Sequence, residues 1–116
     1  MSELVTLKEN REFHYLYRKG KSFVSPVLVT YIVKNRTDNL RYGITTGKKI
    51  GNAVKRSRSR RVIRAAFSSI HPSLKKGYDI VFVARGKTPY VKSDDIKRAM
   101  ESHFAKAGLL ADKDGT

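Results

Sequence analysis

Between Lys55 and Arg64 the chain carries six Lys or Arg side chains in ten positions, in the run KRSRSRRVIR. Such side chains stay charged at physiological pH and offer only donors, and Arg presents a planar fork that matches phosphate oxygens. Their chemistry is anion recognition. Each phosphate they neutralise releases counterions, so affinity for a nucleic acid falls steeply with salt. The 116-residue chain has a formal net charge of +15, beyond the magnitude of about 2 to 8 that serves solubility in a small domain. No Asp or Glu occurs between Asp38 and Asp79, whereas Arg41, Lys48, Lys49, Lys75 and Lys76 join the run inside that interval. A segment of one sign has lost the option of internal ion pairs and is expected to face a polyanion, a nucleic acid.

The chemistry of a self-sufficient enzyme is missing by comparison. His14, His71 and His103 are scattered and there is no cysteine, so no metal-ligand spacing and no disulfide framework can be drawn. Neither a G-x-S-x-G elbow nor a G-x-x-x-x-G-K-[ST] loop occurs, and TTGKKIGNA has the wrong spacing for a phosphate cradle. Asp94 and Asp95 suit the positive start of a helix better than paired catalysis. No catalytic residue and no metal ligand is expected. The N-terminus lacks the pattern of a signal peptide, and no apolar run approaches the roughly 18 residues of a membrane span. The expected setting is cytoplasmic, without a membrane.

These residues need elements to position them. Thr6 and Glu9 have capping-box spacing and Gly20 offers a stop, predicting a helix from about Leu7 to Lys19 with Phe13, Leu16 and Tyr17 on one face. PVLVTYIVK from Pro26 to Lys34 and RYGITT from Arg41 to Thr46 read as strands of an antiparallel hairpin, with KSFVS as a possible short edge strand. Ile63, Ala66, Phe67 and Ile70 recur at helical spacing, which turns Arg58, Arg60, Arg61 and Arg64 away from the core. Pro72 and Gly77 close that helix. YDIVFVA from Tyr78 to Ala84 reads as a buried strand, and Ser93 caps a last helix with Ile96, Ala99, Met100, Phe104 and Ala107 on one face. The expectation is an α+β (mixed α/β) fold in the order α-β-β-α-β-α, its helices packed on a small central sheet. Residues 1–110 would form a single RNA-binding domain and ADKDGT, 111–116, a frayed tail. Phe13, Tyr17 and Tyr31 offer stacking platforms for unpaired bases, which favours RNA over duplex DNA. For each ring the competing assignment is core packing.

The string RYGITTGKKIGNAVKRSRSRRVIRAAF is more specific than a charge run. It resembles the bacterial ribonuclease P protein subunit, whose signature is a strand, two lysines, G-N-A-V, then R-N-R-x-[KR]-R with another Arg three residues on. The likeness extends upstream through FHYLYRKG and downstream through YDIVFVAR to the last helix.

The resemblance implies a ribonucleoprotein endonuclease that removes the 5′ leader from precursor tRNA. A catalytic RNA subunit would hold the active site and Mg²⁺ would be bound mainly by that RNA, with no further protein partner required. It assigns Arg56, Arg58, Arg60, Arg61 and Arg64 to the RNA subunit, with Lys48, Lys49 and Asn52 in the approach. It assigns Phe13, Tyr17 and Tyr31 to the leader strand, in a cleft between the first helix and the sheet. It also implies a left-handed β-α-β crossover, against the right-handed rule. Ser57 stands where the motif has Asn, replacing an acceptor and two donors by one hydroxyl. A structural RNA-binding protein, such as a ribosomal component, would use the same charge, and a protein-only nuclease or DNA-modifying enzyme has little support in the residues.

Overall fold

Asn35 and Asn39 hold Gly77 between them: the Asn35 N–H donates to the Gly77 carbonyl at 2.8 Å, and the Gly77 N–H to the Asn39 carbonyl at 3.1 Å. This bracket, seen in a computed structural model that describes residues 4–110, decides the topology. The strand β3, Leu28–Lys34, and the strand β4, Leu40–Thr45, flank the bracket, and β5, Tyr78–Ala84, enters between them. β5 runs antiparallel to β3 and parallel to β4. The expected β3–β4 hairpin is therefore corrected. A strand whose residues are buried on both faces belongs in the middle of a sheet, and YDIVFVA is the chain's most continuous apolar strand.

Two further strands complete the sheet. Lys21–Val24 forms β2 antiparallel to β3, the expected edge strand. Leu4–Thr6 forms β1, parallel to β4, where a helix start was expected. The order is β1-β4-β5-β3-β2. Because Thr6 is held in β1, the first helix, α1, spans only Asn10–Lys19. Its capping box shifts by one turn: the Glu12 carboxylate accepts the N–H groups of Glu9 at 3.0 Å and Lys8 at 3.1 Å. Gly20 ends α1 as expected, and a Cβ there would lie 2.5 Å from the Leu16 carbonyl oxygen.

The basic helix, α2, spans Ala53–Ile70, and the last, α3, spans Ser93–Ala107. Ser93 opens α3 as its first residue and does not cap it. The Asp95 carboxylate accepts the Lys92 N–H at 3.1 Å instead. Both helices cover one face of the sheet, where Ile63, Phe67, Ile96, Met100 and Phe104 are buried on Leu28, Ile32, Ile80 and Phe82. The Phe67 and Phe82 rings meet edge to face at 5.1 Å. α1 covers the other face, with Leu16 on Val81 beside Phe13, Tyr31, Val33 and Val83. Of the expected α3 stripe, Ala99 and Ala107 are only half-buried, while His103 is buried with its Nδ1 2.8 Å from the Thr30 hydroxyl.

The hand of the β4-α2-β5 unit follows from L-residue geometry. Seen from the α2 side with β4 running upward, a residue whose side chain points to the viewer directs its carbonyl to the right. Tyr42 is such a residue, its ring 4.9 Å from that of Phe67, and its carbonyl accepts the Leu7 N–H at 2.7 Å. β1 therefore lies right of β4, and β5 lies left. The crossover is left-handed, as the resemblance implies, although about 98% of such connections have the other hand. Among the described residues no helix is long and apolar enough to cross a membrane. The expected tail, 111–116, lies outside the described residues.

Candidate RNA-binding surfaces

α2 begins at Asn52, whose side-chain oxygen accepts the Lys55 N–H at 3.0 Å. The oxygen of this expected RNA contact is therefore engaged as a helix cap. Gly51 precedes it at φ 133°, a conformation that favours glycine, and links α2 to the 3-10 turn of Lys48–Ile50. Lys48 and Lys49 are exposed on that turn while Ile50 is buried.

With Ile63, Ala66, Phe67 and Ile70 buried, the arginines distribute around the rest of α2. Arg61 and Arg64 are exposed. Arg60 is exposed and its Nη1 donates to the Thr46 hydroxyl at 2.5 Å. Arg58 turns to the other flank, where its Nε donates to the Pro89 carbonyl at 2.6 Å. Arg56 is half-buried at the start of the helix. Ser57 is exposed, and Ser59 is buried with its hydroxyl on the Lys55 carbonyl at 2.9 Å.

The ion pairs among the described residues join Arg11 to Glu9, Arg41 to Glu12 and Asp79, and Arg98 to Asp95. None involves α2, so its charge is left for solvent or a ligand. Arg41 departs from the expectation for its segment. Its Nε and Nη2 grip the buried Asp79 carboxylate at 2.7 and 2.6 Å, and Asn35 adds a third bond at 2.8 Å. Hydrogen bonding to Asp79 raises the already high Arg41 pKa. The N–H of Glu9, and secondarily that of Lys8 and the charges of Arg41 and Arg11, hold the Glu12 pKa below its ordinary value against the effect of burial. This network fixes α1 to the sheet and takes Arg41 out of the anion-binding surface.

The three aromatic residues share the α1 face, in two different states. Phe13 is half-buried over Gly43, where a Cβ would come 2.5 Å from its ring carbons. Tyr17 is 40% exposed and stands edge-on to the half-buried Tyr31 with ring centroids 5.1 Å apart. Beside them the sheet is left partly open by half-buried Val29, Thr45 and Val83 and by Val24, 64% exposed. Where the leader cleft is expected, the α1 side of the sheet thus presents partly exposed rings beside partly exposed, mostly apolar strand residues, a combination suited to unpaired bases. Phe13 contributes mostly to the core.

α2 and this cleft lie on opposite faces, and they meet at the edge of β4. Tyr17 reaches Thr45 with its hydroxyl at 3.3 Å, and Arg60 reaches the next residue, Thr46. Beside that edge a cavity of about 200 Å³ is lined by Phe13, Tyr42, Ile44, Arg60 and Arg64 together with Thr6 of β1 and the following Leu7. Sequence reasoning missed both threonines, Arg41 as a structural cation, and Tyr90, whose exposed ring lies 5.4 Å from the Lys55 ammonium. TTGKK carries no sign that its hydroxyls join two surfaces, and a lone Tyr in TPYVK carries no motif.

Among the described residues no three His, Cys, Asp or Glu side chains gather closely enough to hold an ion, and the Asp79 and Glu12 oxygens are engaged by Arg41, Asn35 and backbone N–H groups.

The chain and its fold have relatives among known proteins. Residues 1–108 match the family described as Ribonuclease P. The chain is similar to the ribonuclease P protein component of Clostridium beijerinckii, at 43% identity over 95% of this chain and 94% of that one. It is 39% identical to the component of Oceanobacillus iheyensis, over 95% of this chain and 92% of the relative. Among solved structures it is similar to the RNase P protein of Staphylococcus aureus, with a TM-score of 0.79 at 30% identity over 90% of this chain and 96% of that one. The Thermotoga maritima protein gives a TM-score of 0.76 at 27% identity, over 87% and 96%.

Proposed function

Because this chain belongs to the ribonuclease P protein family, we propose that α2 binds the catalytic RNA subunit and that the α1 cleft takes the 5′ leader of precursor tRNA. As a ribonuclease P protein component it is a subunit of the ribonucleoprotein that processes tRNA 5′ ends, with catalysis carried by RNA. The observation that carries the two-surface reading is the β4 edge, where Tyr17 from one face and Arg60 from the other reach consecutive threonines. A single-stranded leader lying along the cleft would thus leave it beside the helix that docks on the RNA.

In this reading Arg56, Arg60, Arg61 and Arg64, with Lys48 and Lys49, neutralise phosphates of the RNA subunit, and Arg58 adds its charge from the second flank. Asn52 contributes chiefly by starting the helix, with its amide N–H groups available to the RNA. Tyr17 and Tyr31 stack leader bases, and Phe13 shapes the cleft floor. Mg²⁺ is held mainly by the RNA, and the protein raises substrate affinity without touching the scissile bond. The expected compartment is the cytoplasm, where precursor tRNA is made.

The absence of cysteine allows a direct test. Ser57→Cys on exposed α2 and Val24→Cys at the cleft can each be tethered to an iron chelate that cleaves nearby RNA. Cleavage from position 57 in the RNA subunit and from position 24 in the leader is expected. Leader cleavage from position 57, or none from position 24, would overturn the assignment.

A further inference from the structure

Tyr90 is 68% exposed, against 45% for Tyr15 and 40% for Tyr17, yet the turn that carries it is tied down from three sides. It ends the 3-10 turn Thr88–Tyr90, in which Thr88 and Pro89 are buried. The Thr88 hydroxyl donates to the Val27 carbonyl and accepts the Arg85 N–H, both at 2.7 Å. Arg58 of α2 holds the Pro89 carbonyl at 2.6 Å, and the Tyr90 N–H donates to the Lys87 carbonyl at 3.0 Å. A large ring is thus held in water on an immobilised support. The order needed to bind through it is already present in the free protein.

The surroundings indicate what the ring meets. The Lys55 ammonium lies 5.4 Å from its centroid, and Lys87 and Lys92 are exposed on either side of it in the chain. Asp94 is exposed nearby at the start of α3, and Asp95 is engaged by Arg98 and the Lys92 N–H. A flat, exposed π-face with a cation beside it, on a turn flanked in the chain by two more lysines, matches a nucleobase on a phosphodiester chain, because the base stacks while the cations take its phosphates. An acidic peptide would meet the same cations but supply no planar partner.

We infer that Tyr90 is a stacking platform for an unpaired base of the catalytic RNA subunit, extending the α2 footprint over the flank opposite Arg60 and Arg64. The inference rests on the reading of α2 as the RNA-subunit surface. Tyr90 stacks, Lys55 contacts a neighbouring phosphate, and Arg58 holds the turn in register with the helix.

The test is titration of labelled ribonuclease P RNA with wild-type protein and with Tyr90→Ala, Tyr90→Phe and Tyr90→Trp across a salt series, with thermal melts of each protein. Tyr90→Ala should bind about 5- to 150-fold more weakly, with an unchanged salt slope and melting temperature, and Phe and Trp should restore binding. Equal binding of Tyr90→Ala and wild type overturns the inference, as does a Tyr90→Phe as weak as Tyr90→Ala. Failure of the reading beneath it appears separately, as wild-type protein that does not prefer ribonuclease P RNA over an unrelated structured RNA.

Discussion

Tyr17 and Arg60, carried by helices on opposite faces of the sheet, hydrogen-bond to the consecutive residues Thr45 and Thr46. A strand edge left open beyond the short β1 thereby joins an aromatic cleft to a basic helix. Replacing Tyr17 by Ala removes the exposed ring and should weaken binding of leader-containing precursor by about 1 to 3 kcal/mol, with mature tRNA unaffected. Tyr17→Phe keeps the ring against Tyr31 and should retain most of that affinity. Equilibrium binding of both tRNAs to the reconstituted particle decides it, and an equal loss for mature tRNA would return Tyr17 to a structural role.

Arg61 and Arg64 face solvent without a carboxylate partner among the described residues, so each should act through phosphate. Arg61→Ala or Arg64→Ala should weaken binding of the RNA subunit and lower the slope of log K against log salt by about 1 for each phosphate no longer neutralised. Arg41→Ala should behave differently. Its guanidinium is bound to Asp79 and Glu12, so the protein should melt earlier. A salt series and a melt on each variant separate the two classes.

Gly43 lies under Phe13 with no room for a Cβ. Gly43→Ala should destabilise the fold by about 1 to 3 kcal/mol through overpacking. Combining it with Phe13→Leu should recover part of that loss, a coupling that chemical denaturation of the two single variants and the double variant measures. Simple additivity would mean the strand, and not the ring, meets the new methyl group.

His103 and, more weakly placed, His71 link stability to pH. Burial, and then Lys106, lowers the His103 pKa below its ordinary 6.5, and burial with Lys76 does the same to His71. Between the lowered and the ordinary value the unfolded chain binds protons that the folded chain does not, so stability falls as pH drops through 6.5. Melting temperature should therefore decline from pH 7.5 to 5.5, and His103→Gln, which can still meet the Thr30 hydroxyl, should flatten the decline. That window lies above the ordinary Glu12 value of 4.5, so the carboxylate contributes below it.

Much of this arrangement is legible in the sequence, for reasons that can be named. YDIVFVA predicts β5 because a strand buried on both faces needs an unbroken apolar run, and the Ile63 to Ile70 stripe predicts which way α2 turns its arginines. Strand pairing is not legible, because NRTDN reads equally as a hairpin turn or as the bracket that admits Gly77. LVT is too short to announce β1, and its claim on Thr6 moves the α1 cap to Glu12. Charge counting leaves Arg41 in the one-sign segment expected to face a polyanion, since Asp79 is 38 residues away in sequence and adjacent only through the β4–β5 pairing. The left-handed crossover opposes the general rule, and only the family motif gives notice of it.

This protein enables an RNA to mature tRNA, and leader removal measures that role without an intermediary. The protein is mixed with a bacterial ribonuclease P RNA at low Mg²⁺, and cleavage of precursor tRNA is followed beside the RNA alone. Faster release of the 5′ leader is expected with the protein present, with a smaller gain for Arg61→Ala and Tyr17→Ala. Cleavage no faster than with RNA alone would refute the role.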